Sequence, residues 1–152
     1  MNLKISIIGS TGSIGLSALK IVDKRKKDIS LHVLAANKNY KIIKKQIIKY
    51  KPKYFVITDF NIYEKIKKKF KKNNTKILNN FDFFIKLKKK EKSDVSILAI
   101  PGIAGLEPTL SIIKISKKIL IANKESIICG WTLIKNSALK YNTEIIPIDS
   151  EH

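Results

Sequence analysis

Short runs of apolar, largely β-branched residues alternate with longer amphipathic segments along this chain, and this alternation limits the fold more than any other feature. A short, uninterrupted apolar run predicts a strand that is buried on both faces. A segment with apolar residues three and four positions apart predicts a helix. Strands and helices that alternate in this way form a parallel sheet covered by helices on both sides.

The predicted elements follow one another with short connections and no internal repeat. Strands are predicted at Leu3–Ile8, Ser30–Ala35, Tyr54–Thr58, Lys76–Leu78, Val95–Ile100, Lys118–Ala122 and Glu144–Ile148. Helices are predicted at Ser13–Val22, Tyr40–Tyr50, Asn61–Lys71, Phe81–Lys90, Leu106–Ile115 and Ser126–Lys140. The sequence therefore predicts an α/β fold with a Rossmann-like, doubly wound, mostly parallel sheet and helices on both faces. A chain of 152 residues suits one such domain.

The charge of the chain points to two different kinds of surface. A net charge of +19 favours a nucleic-acid or other polyanionic partner. However, Arg25 is the only arginine among 31 basic residues, and surfaces that read bases favour arginine because its guanidinium makes paired hydrogen bonds. The lysines lie over nearly every predicted helix, as expected from an AT-rich coding sequence. We therefore expect solvated helix faces and no specific nucleic-acid partner, with a basic nucleic-acid-binding module as the alternative.

Further features of the sequence indicate the cellular location of the protein and the roles of Cys129 and His32. No apolar run approaches the roughly 20 residues of a membrane span, and Met1 leads directly into the first predicted strand instead of a signal peptide. The single cysteine, Cys129, cannot form an internal disulfide and is expected to be a core thiol. His32 lies within the second predicted strand and is expected to be structural. These features predict a cytoplasmic protein without a membrane partner.

A glycine-rich segment, residues 9–15, joins the first predicted strand to the first predicted helix with the spacing G-x-x-G-x-x-G. Glycine permits a tight turn, Gly12 removes a side chain where backbone would approach a pyrophosphate, and Gly15 allows close packing of the helix. The helix N-terminus offers N–H groups and a positive dipole end to phosphates. Three hydroxyls are expected to add donors, those of Ser10, Thr11 and Ser13. The segment predicts a dinucleotide-binding loop, with a plain tight turn as the alternative.

The residues after the second predicted strand indicate which dinucleotide is bound. NAD-binding domains usually place a carboxylate there, on the ribose 2′-hydroxyl. Here the strand is followed by Asn37, Lys38 and Asn39, without a carboxylate. A carboxylate would repel a 2′-phosphate and Lys38 would attract it, so NADP is favoured over NAD. The alternative is that Lys38 is one more lysine in a lysine-rich chain.

Two carboxylates, Asp149 and Glu151, follow the last predicted strand. In extended backbone, residues two apart point the same way, so both would face one side at the edge where α/β sites form. Hard divalent ions such as Mg²⁺ and Mn²⁺ take carboxylate oxygens. Two ligands do not complete a site, and by spacing alone a polar turn remains the alternative.

Three motifs, taken together, occur in an order and spacing that resemble one family. They are residues 9–15, residues 122–126 with the sequence Ala-Asn-Lys-Glu-Ser, and residues 147–152 with the sequence Pro-Ile-Asp-Ser-Glu-His. The chain resembles the 1-deoxy-D-xylulose 5-phosphate reductoisomerase family over its whole length, and residues 99–106 fit that family's glycine-rich turn after its fifth strand. The resemblance implies an NADPH-dependent, Mg²⁺- or Mn²⁺-assisted rearrangement and reduction of that sugar phosphate to 2-C-methyl-D-erythritol 4-phosphate, in non-mevalonate isoprenoid biosynthesis.

The resemblance also implies roles for individual residues. The cofactor's phosphates would be contacted by Thr11, Gly12, Ser13 and Ile14. The adenosine 2′-phosphate would be faced by Lys38 and Asn39, with Asn37 at a position where the family suggests glycine. The nicotinamide half would lie along Asn123 and Glu125. Substrate would be contacted by Lys124, as a catalytic residue, and by Ser150 and Glu151. The metal would be held by Asp149 and Glu151, and would polarise substrate oxygens as a Lewis acid.

Full members of this family are considerably longer and supply a third carboxylate ligand, histidines, a tryptophan-bearing lid and the substrate-phosphate pocket from later residues. We therefore expect residues 1–152 to form the NADPH-binding domain, ending at the first two metal ligands, of an enzyme that is a homodimer at full length. We expect this fragment to bind NADPH but to be inactive. A free-standing nucleotide sensor is the alternative.

Overall fold

The computed structural model describes residues 1–88 and 91–148. The strands are β1 Leu3–Ile8, β2 Ile29–Ala36, β3 Tyr54–Ile57, β4 Lys76–Leu78, β5 Ser93–Leu98, β6 Ser116–Ile121 and β7 Glu144–Pro147. The α-helices are α1 Ser13–Lys24, α2 Tyr40–Tyr50, α3 Phe60–Lys69, α4 Leu106–Ile113 and α5 Lys124–Tyr141. Among the described residues, 3₁₀ turns at Asp82–Lys86 and Ile103–Gly105 also lie between these elements.

Within the described residues the strands form one sheet in the order β4-β3-β2-β1-β5-β6-β7, and every pair is parallel. The chain starts at the centre with β1, extends outward through β2, β3 and β4, and then crosses to β5 on the other side of β1. The carboxyl ends of β1 and β5 therefore flank the point where the chain changes direction, and open α/β sheets bind ligands at such a point. The predicted Rossmann-like, doubly wound architecture is confirmed.

Helices cover both faces of the sheet, and successive residues of each strand supply the two cores. In β2, Val33 and Ala35 pack on one face with residues of α4 and α5. Leu34 and Ala36 pack on the opposite face with residues of α1, α2 and α3. Because side chains alternate across a pleated strand, a strand covered on both faces is apolar at most positions, and its few buried polar side chains, such as His32 and Ser93, are hydrogen-bonded to one another. This explains the uninterrupted apolar runs of the sequence.

Several predicted boundaries are wrong by a few residues, for one shared reason. β5 ends at Leu98, so Ala99 and Ile100 leave the strand and enter the loop, although both continue the apolar run. Only a short 3₁₀ turn, Asp82–Lys86, occurs within the described part of the helix predicted at 81–90. Apolar periodicity shows which residues are buried, but hydrogen bonds decide where an element ends.

The buried face of α5 differs from the face suggested by its apolar residues. Ser126, Gly130, Ile134 and Ala138 are buried at four-residue spacing, and the missing side chain of Gly130 allows Leu106 of α4 to pack closely against α5. Cys129 is exposed, so the predicted core thiol is wrong. No helix in residues 1–88 and 91–148 is both long and apolar enough to cross a membrane.

Candidate functional site

The glycine-rich loop is folded tightly against the carboxyl end of the sheet. Gly9 has a φ of 96°, and a Cβ added there would lie 2.8 Å from the carbonyl carbon of Ala99. The backbone N–H groups of Gly9 and Ser10 both donate to the carbonyl oxygen of Ala35, over 2.9 and 2.8 Å. Because left-handed backbone and close approach both exclude a side chain, glycine is required at position 9.

Gly12 and Gly15 have different physical reasons for being glycine. A Cβ on Gly15 would collide with the carbonyl oxygen of Gly9 and lie 2.8 Å from the Cα of Ser10, so Gly15 lets α1 rest directly on the loop. A Cβ on Gly12 would meet nothing closer than 3.7 Å, and its φ of −81° suits any residue. The fold therefore requires glycine at position 15, whereas glycine at position 12 leaves open the space above the loop.

The first turn of α1 presents unpaired backbone donors beside Gly12. Gly12 is the N-cap residue and contributes no side-chain acceptor. The N–H groups of Ser13, Ile14 and Gly15 donate to no acceptor within the described residues. A helix N-terminus with free N–H groups carries a partial positive charge and binds anions, phosphates in particular. The predicted contact residues Thr11, Gly12, Ser13 and Ile14 all line the cavities described below.

One expected donor of the loop has another role. Ser10 is fully buried, and its hydroxyl donates to Oε1 of Gln46 over 2.7 Å, so it is not exposed for a ligand. The amide of Gln46 in turn donates to the carbonyl oxygen of Ser10 over 2.9 Å. This reciprocal pair ties the loop to α2. Sequence reasoning missed Gln46, and a lone glutamine on the buried face of a predicted helix was its only signal.

A cleft runs along the carboxyl edge of the sheet on both sides of Gly12. The larger part is a cavity of about 660 Å³, and the smaller part a cavity of about 270 Å³. Both are lined by Gly12, Ala99, Ile100 and Pro101, so they form one groove with the glycine loop at its middle. We call the larger part, which reaches β2, β3 and the segment after β4, the first arm, and the part that reaches the start of α5 the second arm.

Of the three residues predicted at the adenosine end, Asn37 lines the first arm, whereas Lys38 and Asn39 are not among its lining residues. The Oδ1 atom of Asn37 accepts a hydrogen bond from the hydroxyl of Thr58 over 3.1 Å. Asn37 does not adopt a positive φ, so asparagine fits at the position where the family suggests glycine. Lys38 is exposed beside it. The side chain of Asn39 accepts from the N–H of Ile42 and thereby caps α2.

The second arm is built around a clamp made by Asn123. Its Nδ2 donates to the carbonyl oxygens of Ile100 and Gly102, and its Oδ1 accepts from the N–H of Ser126. The side chain is therefore committed to protein partners, and holds the loop after β5 against the first turn of α5. Lys124 and Glu125 follow it, are exposed, and line the second arm.

The predicted ligands and substrate contacts at the end of the chain, Asp149, Ser150 and Glu151, lie outside the described residues. In residues 1–88 and 91–148 there is no group of three or more histidine, cysteine, aspartate or glutamate side chains that could hold a metal ion.

A parallel doubly wound sheet, with a glycine loop and an unpaired helix N-terminus at its switch point, defines a Rossmann-like domain of the class that binds dinucleotides. Comparisons with known proteins identify one family within this class. Residues 5–130 match the family model described as 1-deoxy-D-xylulose 5-phosphate reductoisomerase. The chain belongs to this family.

Individual relatives agree with the family model. The chain is 49% identical over 150 residues to the 1-deoxy-D-xylulose 5-phosphate reductoisomerase of Pelagibacter ubique, an alignment that covers 98% of this chain and 39% of that protein. The chain therefore spans about two fifths of the length of the curated relatives it matches.

Solved structures share the fold along nearly the entire chain. The reductoisomerase of Zymomonas mobilis in complex with NADPH superposes with a TM-score of 0.84 at 28% identity, over 99% of this chain and 40% of that one. A reductoisomerase in complex with NADPH, fosmidomycin and magnesium gives a TM-score of 0.86 at 31% identity, over 99% of this chain and 37% of that one.

Proposed function

We propose that residues 1–152 form the NADPH-binding domain of a 1-deoxy-D-xylulose 5-phosphate reductoisomerase. The observation that carries this proposal is the space above Gly12, where a Cβ would meet no close contact beside three unpaired N–H groups of α1. Nothing within the fold requires glycine there, but a pyrophosphate seated on the helix N-terminus does. Bound NADPH would supply the hydride for the reduction of 1-deoxy-D-xylulose 5-phosphate to 2-C-methyl-D-erythritol 4-phosphate.

The first arm would hold the adenosine half of the cofactor. Because Oδ1 of Asn37 accepts from Thr58, its Nδ2 group is turned toward other acceptors and is a suitable donor to a 2′-phosphate. Lys38, next along the chain, would add a positive charge, and no carboxylate follows β2 to repel the phosphate. Asn39 would act by fixing the start of α2, since its side chain is occupied as the cap.

The second arm would hold the nicotinamide half and the adjoining substrate. Asn123 would position this arm through its clamp, Glu125 would lie along the cofactor, and Lys124 would contact the sugar phosphate as a catalytic residue. Ser150 and Glu151 would contribute further substrate contacts. Asp149 and Glu151 would bind Mg²⁺ or Mn²⁺, which supplies Lewis-acid polarisation of substrate oxygens.

The relatives are much longer than this chain, which affects the activity expected of the chain by itself. Because it spans about two fifths of their length, we expect the 152-residue chain to bind NADPH without turning over substrate. A cytoplasmic location, a homodimeric full-length enzyme and the absence of a specific nucleic-acid partner are parts of the same proposal.

The test compares the two nicotinamide cofactors on the 152-residue chain. We expect NADPH to bind more tightly than NADH in a fluorescence titration, because only NADPH carries the 2′-phosphate. Lys38→Ala should weaken NADPH binding roughly tenfold and leave NADH binding unchanged. Lys45→Ala, which removes an exposed lysine elsewhere on α2, is the matched control and should change neither affinity. Equal affinity for the two cofactors would contradict the assignment of Lys38.

The net charge of +19 supports a second candidate, a basic nucleic-acid-binding module. Such binding depends on phosphate contacts and falls steeply with salt. A titration with DNA at increasing salt separates the candidates. Our proposal expects NADPH to remain bound at salt concentrations that abolish DNA binding, whereas DNA affinity that depends on sequence and survives salt would favour the module.

A further inference from the structure

The side chain of Gln46 is polar, yet it lies on the buried face of α2 and is only 3% exposed. Its neighbours on that face, Ile43 and Ile47, are fully buried and belong to the core. Burying an amide costs free energy unless the amide is hydrogen-bonded, so an apolar residue would suit this face better than glutamine does. Gln46 lines neither arm of the cleft. The reason for a glutamine at this position must therefore lie in what its side chain holds.

Gln46 makes two hydrogen bonds to a single residue of the glycine loop, Ser10. Oε1 of Gln46 accepts from the Ser10 hydroxyl over 2.7 Å, and Nε2 donates to the Ser10 carbonyl oxygen over 2.9 Å. The backbone N–H of Ser10 donates to the carbonyl oxygen of Ala35 over 2.8 Å. Ser10 is therefore held at three points, and the bond from Nε2 of Gln46 fixes the direction in which the Ser10 carbonyl points.

The direction of the Ser10 carbonyl also sets the direction of the next backbone N–H, that of Thr11. The carbonyl of Ser10 and the N–H of Thr11 belong to one planar trans peptide unit, so they point in opposite directions. Because the carbonyl is turned toward α2, the Thr11 N–H is turned away from α2. Thr11 lines the first arm, and its N–H donates to no acceptor within residues 1–88 and 91–148. This N–H therefore joins the unpaired donors at the start of α1.

A reversal of this peptide unit would change the charge that the loop presents to a ligand. Successive backbone N–H groups on one side of a loop form an anion-binding concavity. If the peptide between Ser10 and Thr11 turned over, a carbonyl oxygen would take the place of the Thr11 N–H, and its partial negative charge would repel a phosphate. Among the described residues, Gln46 is the one donor to the Ser10 carbonyl oxygen. The orientation that suits an anion therefore depends on Gln46.

The helix that carries Gln46 is fixed near both ends. At its start, the side chain of Asn39 caps α2 by accepting the N–H of Ile42 over 3.1 Å. Near its end, the ammonium of Lys49 and the hydroxyl of Tyr50 both donate to Oδ2 of Asp23 on α1, over 2.9 and 3.2 Å. α2 therefore has a defined position relative to α1, and it can support the loop from which α1 begins.

We propose that Gln46 is a positioning residue of the cofactor site: by holding the carbonyl of Ser10, it turns the N–H of Thr11 toward the pyrophosphate of the dinucleotide. This inference rests on the NADPH-binding function proposed above, and adds to it a residue that touches neither cofactor nor substrate. The start of α2 follows directly after Lys38, at the 2′-phosphate end. One helix thus joins the two phosphate sites of the cofactor, the first through the residues before it and the second through Gln46.

Two ligands of different length separate this role from a general loss of structure. NADPH carries a pyrophosphate, whereas adenosine 2′-phosphate carries only the adenosine end. In the 152-residue chain, Gln46→Met should weaken NADPH binding roughly tenfold and leave the binding of adenosine 2′-phosphate nearly unchanged, both measured by calorimetry. The matched control is Ile47→Val or Ile47→Ala, whichever has a urea midpoint nearer to that of Gln46→Met, and it should change neither affinity. Unchanged NADPH affinity in Gln46→Met, an equal loss for both ligands, or an equal loss in the control would overturn the proposal.

The amide of Thr11 tests the same proposal without relying on a stable variant. In the unaltered chain labelled with ¹⁵N, NADPH should move the Thr11 amide proton downfield, as a hydrogen bond to a phosphate oxygen does, together with the amide protons of Ser13 and Ile14. In Gln46→Met saturated with NADPH, the Thr11 shift should be clearly smaller. A Thr11 amide that stays in place while those of Ser13 and Ile14 move would overturn the role of Gln46 and leave the proposed function intact. No saturable binding of NADPH to the unaltered chain would overturn the proposed function, and this inference with it.

Discussion

Gly12 and Gly15 occupy equivalent places in the sequence motif, yet their surroundings predict opposite consequences for the same substitution. Gly15→Ala places a methyl group against the backbone of Gly9 and Ser10, which cannot move without disturbing the loop. We expect a loss of about 3 kcal/mol in the free energy of unfolding, measured by urea denaturation. Gly12→Ala should cost about 1 kcal/mol or less, as a weaker N-cap.

The Gly12→Ala and Gly15→Ala variants also distinguish an effect on stability from an effect on NADPH binding. Because the methyl group of Gly12→Ala occupies the space where a pyrophosphate would rest, we expect it to weaken NADPH binding roughly tenfold while the chain stays folded. Unchanged NADPH affinity in this variant would contradict the placement of the phosphates on α1.

His32 predicts a pH dependence of stability with a definite sign. Burial lowers its pKa from 6.5 to about 4, so the unfolded chain binds this proton at a higher pH than the folded chain does. The stabilisation is present above pH 6.5 and is lost as the pH falls toward 4, by about 3 kcal/mol in all.

The measurement for His32 is the free energy of unfolding between pH 7 and about pH 5.5, which lies more than one pH unit above the ordinary carboxylate pKa values of roughly 3.9 and 4.3. His32→Gln keeps an acceptor for Ser93 but cannot titrate, so its stability should change less over this interval. Equal pH dependence in both chains would show that other groups are responsible.

Among the helices and strands, the clamp of Asn123 joins the loop after β5 to α5. Asn123→Ala removes the cap of α5 and leaves the carbonyl oxygens of Ile100 and Gly102 without their donor. We expect a loss of about 2–3 kcal/mol in the free energy of unfolding, measured by chemical denaturation. Asn136→Ala, at an exposed position of the same helix, should have little effect.

A second substitution at this position distinguishes the cap from the clamp. Asn123→Asp preserves an acceptor for Ser126 but directs a carboxylate at two carbonyl oxygens. It should destabilise the chain at least as much as alanine at neutral pH, because the donors are lost and repulsion is added. Stability close to that of the unchanged chain would mean that capping alone accounts for Asn123.

At the scale of the whole molecule, basic residues greatly outnumber acidic ones. The chain has 31 basic and 12 acidic residues, and the described residues form four ion pairs, all at the surface. Mutual repulsion of the lysines should destabilise the fold, and salt should screen it. We expect the melting temperature to rise as sodium chloride increases from roughly 0.05 to 0.5 M.

A charge-reversal variant provides the control for this effect. Lys65→Glu combined with Lys68→Glu replaces two exposed lysines of α3 and should reduce the dependence on salt. A melting temperature that falls with chloride would contradict the view that lysine repulsion limits stability.

The sequence by itself determined the class of fold and the position of the central motif. Uninterrupted apolar runs follow directly from burial on both faces, and the glycines of residues 9–15 follow from backbone conformation and close packing. These properties belong to residues near one another along the chain, so they are visible without a structure. The lysine and asparagines after β2 were also found in this way.

Only the tertiary structure decided what those residues contact. The pairing of Ser10 with Gln46 joins residues 36 positions apart, and that of His32 with Ser93 joins residues 61 positions apart. Both depend on the order of strands in the sheet, which brings β5 beside β1 and α2 under the loop. Periodicity reports which side of an element is buried but not which neighbour lies there. For this reason the clamp of Asn123 and the exposed position of Cys129 emerged only from the folded chain.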